Sequence, residues 1–356
     1  MPTFFFHSDM AGAPTNTNAA GSTLEIIRSC LVTGFNLKSV VSASVTSEVM
    51  TLTYAAPHGY EDKVWLRLDG AAGGSIVQRV TTADGASTLT IPAPGFADGA
   101  VAGTLSTRVA PADWEESFSD TNVGVFRSKV EGPGSTRFFY RVADTASGNA
   151  RILRGYEAMT DANTGTGPFP TLAQETGNGR NIARADSSSP RAWVFIADQR
   201  TAYFSLSNIS TVNAQPVFFG DEHPFSGTDL FLAGLGTSLT LSQAGDRFRP
   251  RIAAGTGTAA VGVQRSLFGN WVDAYPSPIG GGMVFIRPVL TFDTTATSAL
   301  RGSMRGLIHC SAMPVPSNNL FTVLPSVQGI EGRIVVVRDS QSTASAIAFP
   351  IDEDWA

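Results

Sequence analysis

The chain has 356 residues, of which 15% are charged, and its formal net charge is −5. Soluble globular proteins carry about 25% charged residues, so Ser, Thr, Asn and Gly must cover much of this surface. Without a basic stripe or tail, binding to a nucleic-acid backbone is not expected. No apolar run approaches the roughly 18 residues that cross a bilayer, and the N-terminus lacks the basic segment of a signal peptide. We therefore expect neither a membrane span nor a signal peptide.

Arginine supplies almost all of the positive charge, because lysine occurs only at Lys38, Lys63 and Lys129. Guanidinium groups suit bidentate contacts in interfaces better than the strongly hydrated ammonium group does. The two cysteines, Cys30 and Cys310, are far apart in sequence and are predicted to be buried thiols of a protein made in a cytosol. This composition favours a subunit whose surface is covered by neighbours.

Residues 1–38 are predicted to form an N-terminal arm and a short helix. The stretch "AGAPTNTNAAG" is small and polar, which indicates a loop. In "STLEIIRSCLVTGF" the apolar residues recur at helical spacing. Ser22 or Thr23 is expected to cap the start of this helix, and Gly34 is expected to end it.

Residues 39–110 are predicted to form a small inserted β-barrel or sandwich domain, because the hydrophobic period falls to two. Alternation marks strands in "SEVMTLTYA", "KVWLRLDG" and "GAVAGTLSTRVA", and "SIVQRVTTADGASTLTIPA" predicts two strands around a turn at Asp84-Gly85. The segment "AAPHGYEDK" predicts a reversing loop, with His58 and Gly59 at the corner of a hairpin. A catalytic base or a metal ligand at His58 is the alternative.

Residues 111–356 are predicted to form the main antiparallel β domain, with long loops. "VGVFRSKV", "TRFFYRVAD" and "ARILRGYEAM" indicate a meander, and "RAWVFIADQRTAYFSLS" indicates a hairpin that turns at Asp198-Gln199. Stretches such as "TDANTGTGPFPT" predict loops, and no repeat of fixed period is present. The predicted fold is mainly β: an antiparallel β-sandwich or barrel core with a small inserted β-domain and one or two short helices.

Residues with metal-binding or nucleophilic chemistry occur next to one another. Neighbours on a strand face opposite sides, so at most Asp221 and His223 of "DEH" could share a metal, and Glu222 could not. We predict a polar loop there. By the same geometry His309 cannot take the proton of Cys310, which is predicted to be a core residue.

Acidic residues cluster at Glu115-Glu116 and at Asp352-Glu353-Asp354. A glycosidase pair needs two carboxyl groups about 5 to 9 Å apart across a cleft, and sequence adjacency does not supply that, so we predict solvated faces. Glycine-rich stretches such as "GTGTAAVG" lack the Lys-Ser/Thr of nucleotide loops. We assign no catalytic, cofactor-binding or metal-ligating residue, and expect a protein that is not an enzyme and needs no cofactor.

Three motifs resemble structural proteins of tailed bacteriophages: an H-G-aromatic corner after a strand, an AP-x-x-W junction, and a TN-x-x-V-F/Y-R-S strand. The matching residues here are His58, Gly59, Tyr60, Ala110, Pro111, Trp114, Thr121, Asn122, Val125, Phe126, Arg127 and Ser128. The flanking segments "EIIRSCLVTGF" and "EGRIVVVRD" are similar to flanks in those proteins as well. The resemblance implies a virion component of the tail or baseplate that carries a small inserted β-barrel, with no catalytic residue to transfer.

The expected function is that of a structural subunit of a bacteriophage virion, in the tail or baseplate. It would be made in the cytoplasm of the bacterial host and would form a symmetric homo-oligomer in contact with other virion proteins. One alternative is a carbohydrate- or receptor-binding protein of the tail tip, with Trp65, Trp193 or Trp271 stacked on a host-surface glycan. Another is a capsid-decorating or head–tail joining protein, and a depolymerase is the remaining enzyme option.

Overall fold

All strand pairs in the computed structural model of this chain are antiparallel, and its described strands form six sheets. The described residues are 2–72, 74–83, 85–145, 150–169, 181–183, 185, 187–207, 214–224, 233–236, 261–264, 285–286, 290–293, 300–310, 315, 319–327, 330–338 and 346–355. Within these residues the chain is mainly β with one short α-helix. The predicted fold class, a mainly β protein of the antiparallel sandwich or barrel type, is confirmed.

The chain begins with strand β1 (Phe4–His7), which is followed by helix α1 (Ser22–Arg28) and a π-helical turn over Ser29–Thr33. Gly34, at φ 71°, ends this helical segment as predicted. Helix α1 has only seven residues and would not be stable by itself. Burial of four of these residues against the rest of the protein stabilises it.

The predicted cap of helix α1 is wrong. The N-cap residue is Gly21, and no side chain at the cap bonds to the helix. Instead the Oδ2 atom of Asp144 accepts hydrogen bonds from the amides of Thr23 and Leu24, at 2.7 and 3.3 Å. A carboxylate from a distant part of the chain therefore satisfies the first free amides of the helix and complements its dipole.

Eight strands made only from residues 35–109 form two four-stranded sheets, which we call the β module. The first sheet has the order β2-β9-β5-β6 and the second has the order β7-β4-β3-β8. The inner faces meet in a shared core, in which Leu66 of the first sheet and Leu52 of the second are fully buried. The strands are β2 (Phe35–Ser39), β3 (Ser42–Thr46), β4 (Val49–Thr53), β5 (Trp65–Asp69), β6 (Ile76–Arg79), β7 (Thr88–Pro92), β8 (Gly99–Ala100) and β9 (Ser106–Val109).

Two predicted hairpins in the β module are wrong, although their strands exist. Strands β4 and β5, on either side of His58, belong to different sheets, and so do β6 and β7, on either side of Gly85. Asp84, the other predicted turn residue, lies outside the described residues. Alternation of apolar and polar residues determines which face of a strand is buried, but it does not determine which strand is its partner. Each of these connections therefore crosses from one sheet to the other.

The next strands form a six-stranded sheet in which β11, β12 and β13 pair in sequence, so the predicted meander is confirmed. Residues 165–169, predicted to be a loop, form a strand that pairs with β13. Gly155 permits this pairing, because a side chain there would overlap the ring of Phe169 on the neighbouring strand. The strands are β10 (Trp114–Asp120), β11 (Val123–Ser128), β12 (Phe139–Ala143), β13 (Ala150–Met159), β14 (Gly165–Phe169) and β15 (Asn181–Ala183).

The hairpin predicted at Asp198-Gln199 is confirmed by the pairing of β16 with β17. It lies in a five-stranded sheet of order β1-β16-β17-β18-β20, which we call the central sheet, so the N-terminal strand pairs with the middle of the chain. The strands from here to β20 are β16 (Trp193–Ala197), β17 (Thr201–Ser207), β18 (Ala214–Asp221), β19 (His223–Pro224) and β20 (Ala233–Gly236).

The C-terminal strands form two further sheets, of order β19-β24-β23-β21 and β22-β25-β28-β27-β26. One hydrophobic cluster contains the inner residues of the β module together with Phe6, Leu24 and Trp193. The module thus shares its core with the arm, the helix and the central sheet, and the domain division at residues 38 and 110 stays a prediction. The remaining strands are β21 (Val261–Gln264), β22 (Phe285–Ile286), β23 (Leu290–Asp293), β24 (Leu300–Ser303), β25 (Ile308–Cys310), β26 (Phe321–Leu324), β27 (Ile334–Arg338) and β28 (Ala346–Pro350).

Candidate functional site

His58 lies in the connection between the two sheets of the β module, with only 2% of its surface exposed. The amide of Tyr60 donates to its Nδ1 atom at 2.9 Å, and its Nε2 atom lies 3.2 Å from the carbonyl oxygen of Thr88. An amide can only donate and a carbonyl can only accept, so the ring is neutral with its proton on Nε2. Gly59, at φ 71°, allows the tight turn that forms this arrangement. The Nδ2 atom of Asn36, on strand β2 of the first sheet, donates to the carbonyl oxygen of His58 at 2.9 Å. Because Thr88 belongs to the second sheet, His58 is hydrogen-bonded to both sheets.

Three hydroxyl groups meet between the sheets beside His58. The hydroxyl of Tyr60 donates to the carbonyl oxygen of Asn36 at 2.7 Å and lies 3.0 Å from the Oγ1 atom of Thr107, which is also 3.0 Å from the hydroxyl of Tyr54. Burial raises the pKa of Tyr54 to about 12 and raises that of Tyr60 further above its usual range. Both phenols therefore stay protonated and keep donating hydrogen bonds inside the module.

The two later motifs meet at one turn of the central sheet. Trp114 and Ser128 are paired across strands β10 and β11. The indole Nε1 of Trp114 donates to the carbonyl oxygen of Asp198 at 2.8 Å, and the hydroxyl of Ser128 donates to that of Gln199 at 2.6 Å. Both side chains are therefore fixed on the backbone of the β16–β17 turn, which we call the anchored turn (residues 198–201).

The carboxylate of Asp198 organises the anchored turn from inside the protein. Its Oδ1 atom accepts from the amides of Arg200 and Thr201, both at 2.7 Å, and its Oδ2 atom accepts from Arg305 at 2.9 Å. Arg305 is buried as well and donates to the carbonyl oxygen of Trp355 at 3.0 Å. The anchored turn thus connects strand β10, the central sheet and the C-terminal tail (residues 351–355) through a buried, paired charge.

The polar loop predicted for Asp221, Glu222 and His223 is wrong. Asp221 ends strand β18 and is buried, Glu222 is buried beside it, and His223 begins strand β19 and is exposed. The Oδ1 atom of Asp221 accepts from the hydroxyl and the amide of Thr136, at 2.6 and 3.3 Å. Burial nevertheless dominates and raises the pKa of Asp221 to about 6.

Among the residues that the structure describes, no group of three or more His, Cys, Asp or Glu side chains is arranged to hold a metal ion. Cys30 and Cys310 are fully buried, as predicted, and burial raises the pKa of the Cys30 thiol well above its usual range. The side chain of His309 lies outside the described residues.

The solvated face predicted for Glu115 and Glu116 is wrong for Glu116, whose side chain is 16% exposed. Glu116 accepts two hydrogen bonds from the guanidinium of Arg28, at 2.8 and 2.7 Å, and these bonds raise the pKa of Arg28. Glu115 instead pairs with Arg127 and Arg137. Each carboxylate thus binds its own arginine partners, as expected when successive strand residues face opposite sides.

The solvated face predicted at the C-terminus is wrong for Asp352, whose side chain is 11% exposed. It accepts from Arg79 of strand β6 at 2.7 Å and from Arg333 at 3.0 Å, and Lys63 lies 3.9 Å away. Burial alone would raise the pKa of Asp352, but the hydrogen bonds from Arg333 and the charges of Arg333 and Arg79 outweigh it and lower the pKa. We call these four residues the arginine clamp, because they bind the β module to the C-terminal tail.

The tryptophans proposed to stack on glycans have other roles where the structure describes them. Trp193 is fully buried and donates to the carbonyl oxygen of Pro14 at 2.8 Å. Trp65 donates to that of Thr3 at 2.8 Å, and the guanidinium of Arg79 lies 5.4 Å from the centre of its ring. The prediction is therefore wrong for Trp193. Trp271 lies outside the described residues.

Sequence reasoning selected the residues of the three motifs but missed their partners. The turn itself has a local signal, because the carboxylate of Asp198 accepts from the amides two and three positions later, as aspartates in turns often do. Its contacts with Trp114 and Ser128 have no such signal. No local signal connects Asp352 to Arg79, because 273 positions separate them. The clamp follows only from the three-dimensional fold.

Comparison of the chain with protein-family models, with curated proteins and with solved structures found no match. Within the described part of the chain, none of the helical structure is sufficiently long and apolar to span a membrane.

Proposed function

We propose that this protein is a non-enzymatic structural subunit of a tailed-bacteriophage virion, placed in the tail or baseplate as a symmetric oligomer. The observation that carries the proposal is the use of the three motifs that resemble phage structural proteins. His58 and Tyr60 are hydrogen-bonded to Thr88 of the second sheet and Asn36 of the first. Trp114 of strand β10 and Ser128 of strand β11 are hydrogen-bonded to the anchored turn. The side chains of these motifs thus stabilise the fold, which is the role expected in a structural subunit.

The use of ionisable groups also supports an architectural role. Asp198 and Arg305 join three parts of the chain. Asp352 near the C-terminus pairs with Arg79 of the β module and with Arg333, which precedes strand β27. These contacts fix the relative positions of sheets that come from separate parts of the sequence. A subunit that bears load or holds neighbours in register benefits from such cross-connections.

The composition fits the same role. Only 15% of the residues are charged, and interface cores in protein assemblies are depleted in charge. When neighbouring subunits cover a surface with few charges, its desolvation costs less free energy than that of a highly charged surface.

Mass spectrometry of purified particles of the encoding phage, with tails and heads separated, tests the proposal. We expect the protein in the tail fraction, in several copies per particle. Recovery in the head fraction alone would move it to the capsid-decorating or head–tail joining class, and absence from particles would contradict a structural role altogether.

A complementation assay adds a functional readout. Phage lacking the gene should form no complete tails, and Trp114→Phe should restore tails less well than wild type because it keeps the ring but loses the hydrogen bond to the anchored turn. Gln199→Ala is the matched control, since the anchored turn is bound there through its backbone. Normal tails in the absence of the gene would contradict the proposal.

A further inference from the structure

A cavity of about 320 Å³ lies between the C-terminal tail and the β24–β25 turn (residues 304–307). The tail and this turn line it, together with Ser303 at the end of strand β24 and His223 at the start of strand β19. Ligand cavities usually measure roughly 300–1,000 Å³, and one water molecule takes about 30 Å³. The cavity therefore has room for a ligand of the size of one sugar ring, but not for a chain of such rings.

The tail side of the cavity wall is fixed by contacts with the β24–β25 turn and with the N-terminal arm. The carbonyl oxygen of Trp355 accepts from Arg305 at 3.0 Å, and that of Glu353 accepts from the hydroxyl of Thr3 at 2.8 Å. The ring of Trp355 lies against Gly306, where any side chain would overlap it. The wall is therefore formed in advance, and a ligand loses no free energy in ordering it.

Arg305 lines the cavity and keeps a donor that the described protein does not use. Its side chain is only 6% exposed, and its hydrogen bonds to Asp198 and Trp355 both leave from Nη2. The Nε atom is buried and has no hydrogen-bond partner among the described residues. Buried polar groups almost always have a partner, because an unsatisfied donor costs free energy. The unused donor points to a ligand that supplies an acceptor.

The polar groups of the wall limit the charge of that ligand. The Arg305 guanidinium only donates hydrogen bonds, whereas the carboxylates of Glu353 and Asp354 only accept them. An anion would be repelled by the carboxylates, and a cation would be repelled by the guanidinium. Hydroxyl groups donate and accept without carrying charge, so several hydroxyl groups on one ligand match all of these residues.

The remaining wall is apolar, and Met304, Leu307 and Pro350 contribute to it. Such a wall excludes ligands that are polar on every side, because it leaves part of their hydrogen-bonding capacity unsatisfied. A sugar ring combines hydroxyl groups around its rim with C–H groups on its faces, so it fits both parts of the wall.

We propose that this cavity binds one uncharged sugar unit, through hydrogen bonds to Arg305, Ser303 and the tail carboxylates and through C–H contacts with the apolar wall. The inference goes beyond the proposed function and does not depend on it, since a structural subunit and a protein of another class could each carry such a site.

Saturation-transfer NMR and titration calorimetry of the full chain with a panel of free, uncharged hexoses and deoxyhexoses test the proposal. We expect at least one of these sugars to bind saturably with one site per chain. Failure of the whole panel to bind would overturn the inference.

Two substitutions test whether the cavity is the site. Ser303→Ala and His223→Ala each remove one polar group from the wall and should weaken binding about two- to ten-fold, as the loss of one hydrogen bond does. His223 is exposed, so its substitution leaves the core intact. Ser44→Ala is the matched control, because this exposed serine of strand β3 lies far from the lining residues in the β module. Thermal melting verifies that the variants fold, and wild-type affinity in both cavity variants would overturn the site.

Charged relatives of the sugar that binds test the match of the wall to an uncharged ligand. The uronic acid and the amino sugar with the same ring should both bind several-fold more weakly than the neutral sugar, because the wall contains charges of both signs. Tighter binding of either one would overturn the assignment of an uncharged ligand. Binding of free amino acids without binding of any sugar would overturn it as well.

An oligosaccharide that ends in the same sugar distinguishes a free sugar from a glycan as the source of the ligand. Binding at least as tight as that of the free unit supports the end of a glycan, and weaker binding supports a free sugar. Binding of the oligosaccharide alone would overturn the inference, since the cavity holds one unit. None of these results bears on the location of the protein in a particle, which decides the proposed function separately.

Discussion

The two outer faces of the β module contrast in chemistry although they cover one core. On the first sheet, Arg67, Asp69 and Arg108 form ion pairs with N–O distances of 2.8 and 3.1 Å. Nearby, Arg79 joins the same sheet to Asp352 of the tail. On the second sheet, the outward-facing residues of strands β3, β4 and β7 are all uncharged. One sheet thus binds its own chain through charge, and the other is left uncharged, which indicates that a sandwich core can be kept while its two surfaces acquire separate tasks.

The strongest test of the shared core is truncation of one leucine from each sheet. Leu66→Ala and Leu52→Ala should each lower the free energy of unfolding by about 2–5 kcal/mol, because both residues are fully buried in one cluster. Urea unfolding measures the loss, with the exposed Val77→Ala as the control. A large loss for one leucine and almost none for the other would mean that the two sheets do not share a core.

Asp221, outside the β module, is a buried carboxylate whose pKa is raised by burial despite its hydrogen bonds with Thr136. The folded-state pKa of Asp221, about 6, lies above the ordinary value of 3.8, so the native protein holds this proton more tightly than the unfolded chain does. The contribution is complete below about pH 4 and is lost as the pH rises through 6, which amounts to about 3 kcal/mol. In Asp221→Asn this part of the pH dependence should vanish.

Unfolding of Asp221→Asn and wild type at pH 4.5 and pH 7.5 measures that slope. Thr136→Ser, which keeps the hydroxyl that bonds to Asp221, is the control and should retain the wild-type slope. Parallel curves for wild type and Asp221→Asn would contradict a proton held by Asp221.

The arginine clamp should respond to pH in the opposite direction. The pKa of Asp352 is lowered, so its contribution is present above the unfolded value near 3.8 and is lost as the pH falls through the lower folded-state pKa. Asp352→Asn should reduce stability by about 1–3 kcal/mol at neutral pH, since it leaves Arg79 and Arg333 without their carboxylate. Denaturation near neutral pH and near pH 3 tests both statements. Equal losses at the two pH values would mean that charge does not hold the clamp.

The smallest effects are expected on the outer faces themselves. Arg67→Ala should cost less than about 1 kcal/mol, because its ion pair with Asp69 is partly exposed, and about 1 M salt should reduce that cost. Thr51→Ala should cost a similar or smaller amount that does not respond to salt. Melting temperatures at low and high salt provide the comparison. A salt-dependent loss for Thr51→Ala would contradict the assignment of charge to one sheet only.

Periodicity of the sequence was a good guide to strands and a poor guide to their partners. Alternation located β4 and β5, since burial of every second residue is a local property. The crossing between sheets at His58 depends on contacts with Thr88 on another strand, and no local pattern encodes that contact. The same reason explains why acidic residues predicted to face solvent proved to be partners of distant arginines.

The contacts of Trp114 and Ser128 with the anchored turn were likewise only partly predictable from the sequence. Trp114 and Ser128 could be selected from their motifs, and the β16–β17 hairpin could be predicted from its alternation. Their meeting could not, because about 70 residues separate Ser128 from Gln199 in the chain and loop closure over such a distance leaves no signature in composition.

The fastening of the anchored turn has a consequence for how this protein can change over evolutionary time. Trp114 and Ser128 bind carbonyl oxygens, which every amino acid carries, so the grip does not depend on the side chain at Gln199. Mutational drift at that position is therefore compatible with an unchanged joint, while position 114 is constrained by both its ring and its donor. Related sequences should therefore vary at position 199 and retain tryptophan at position 114.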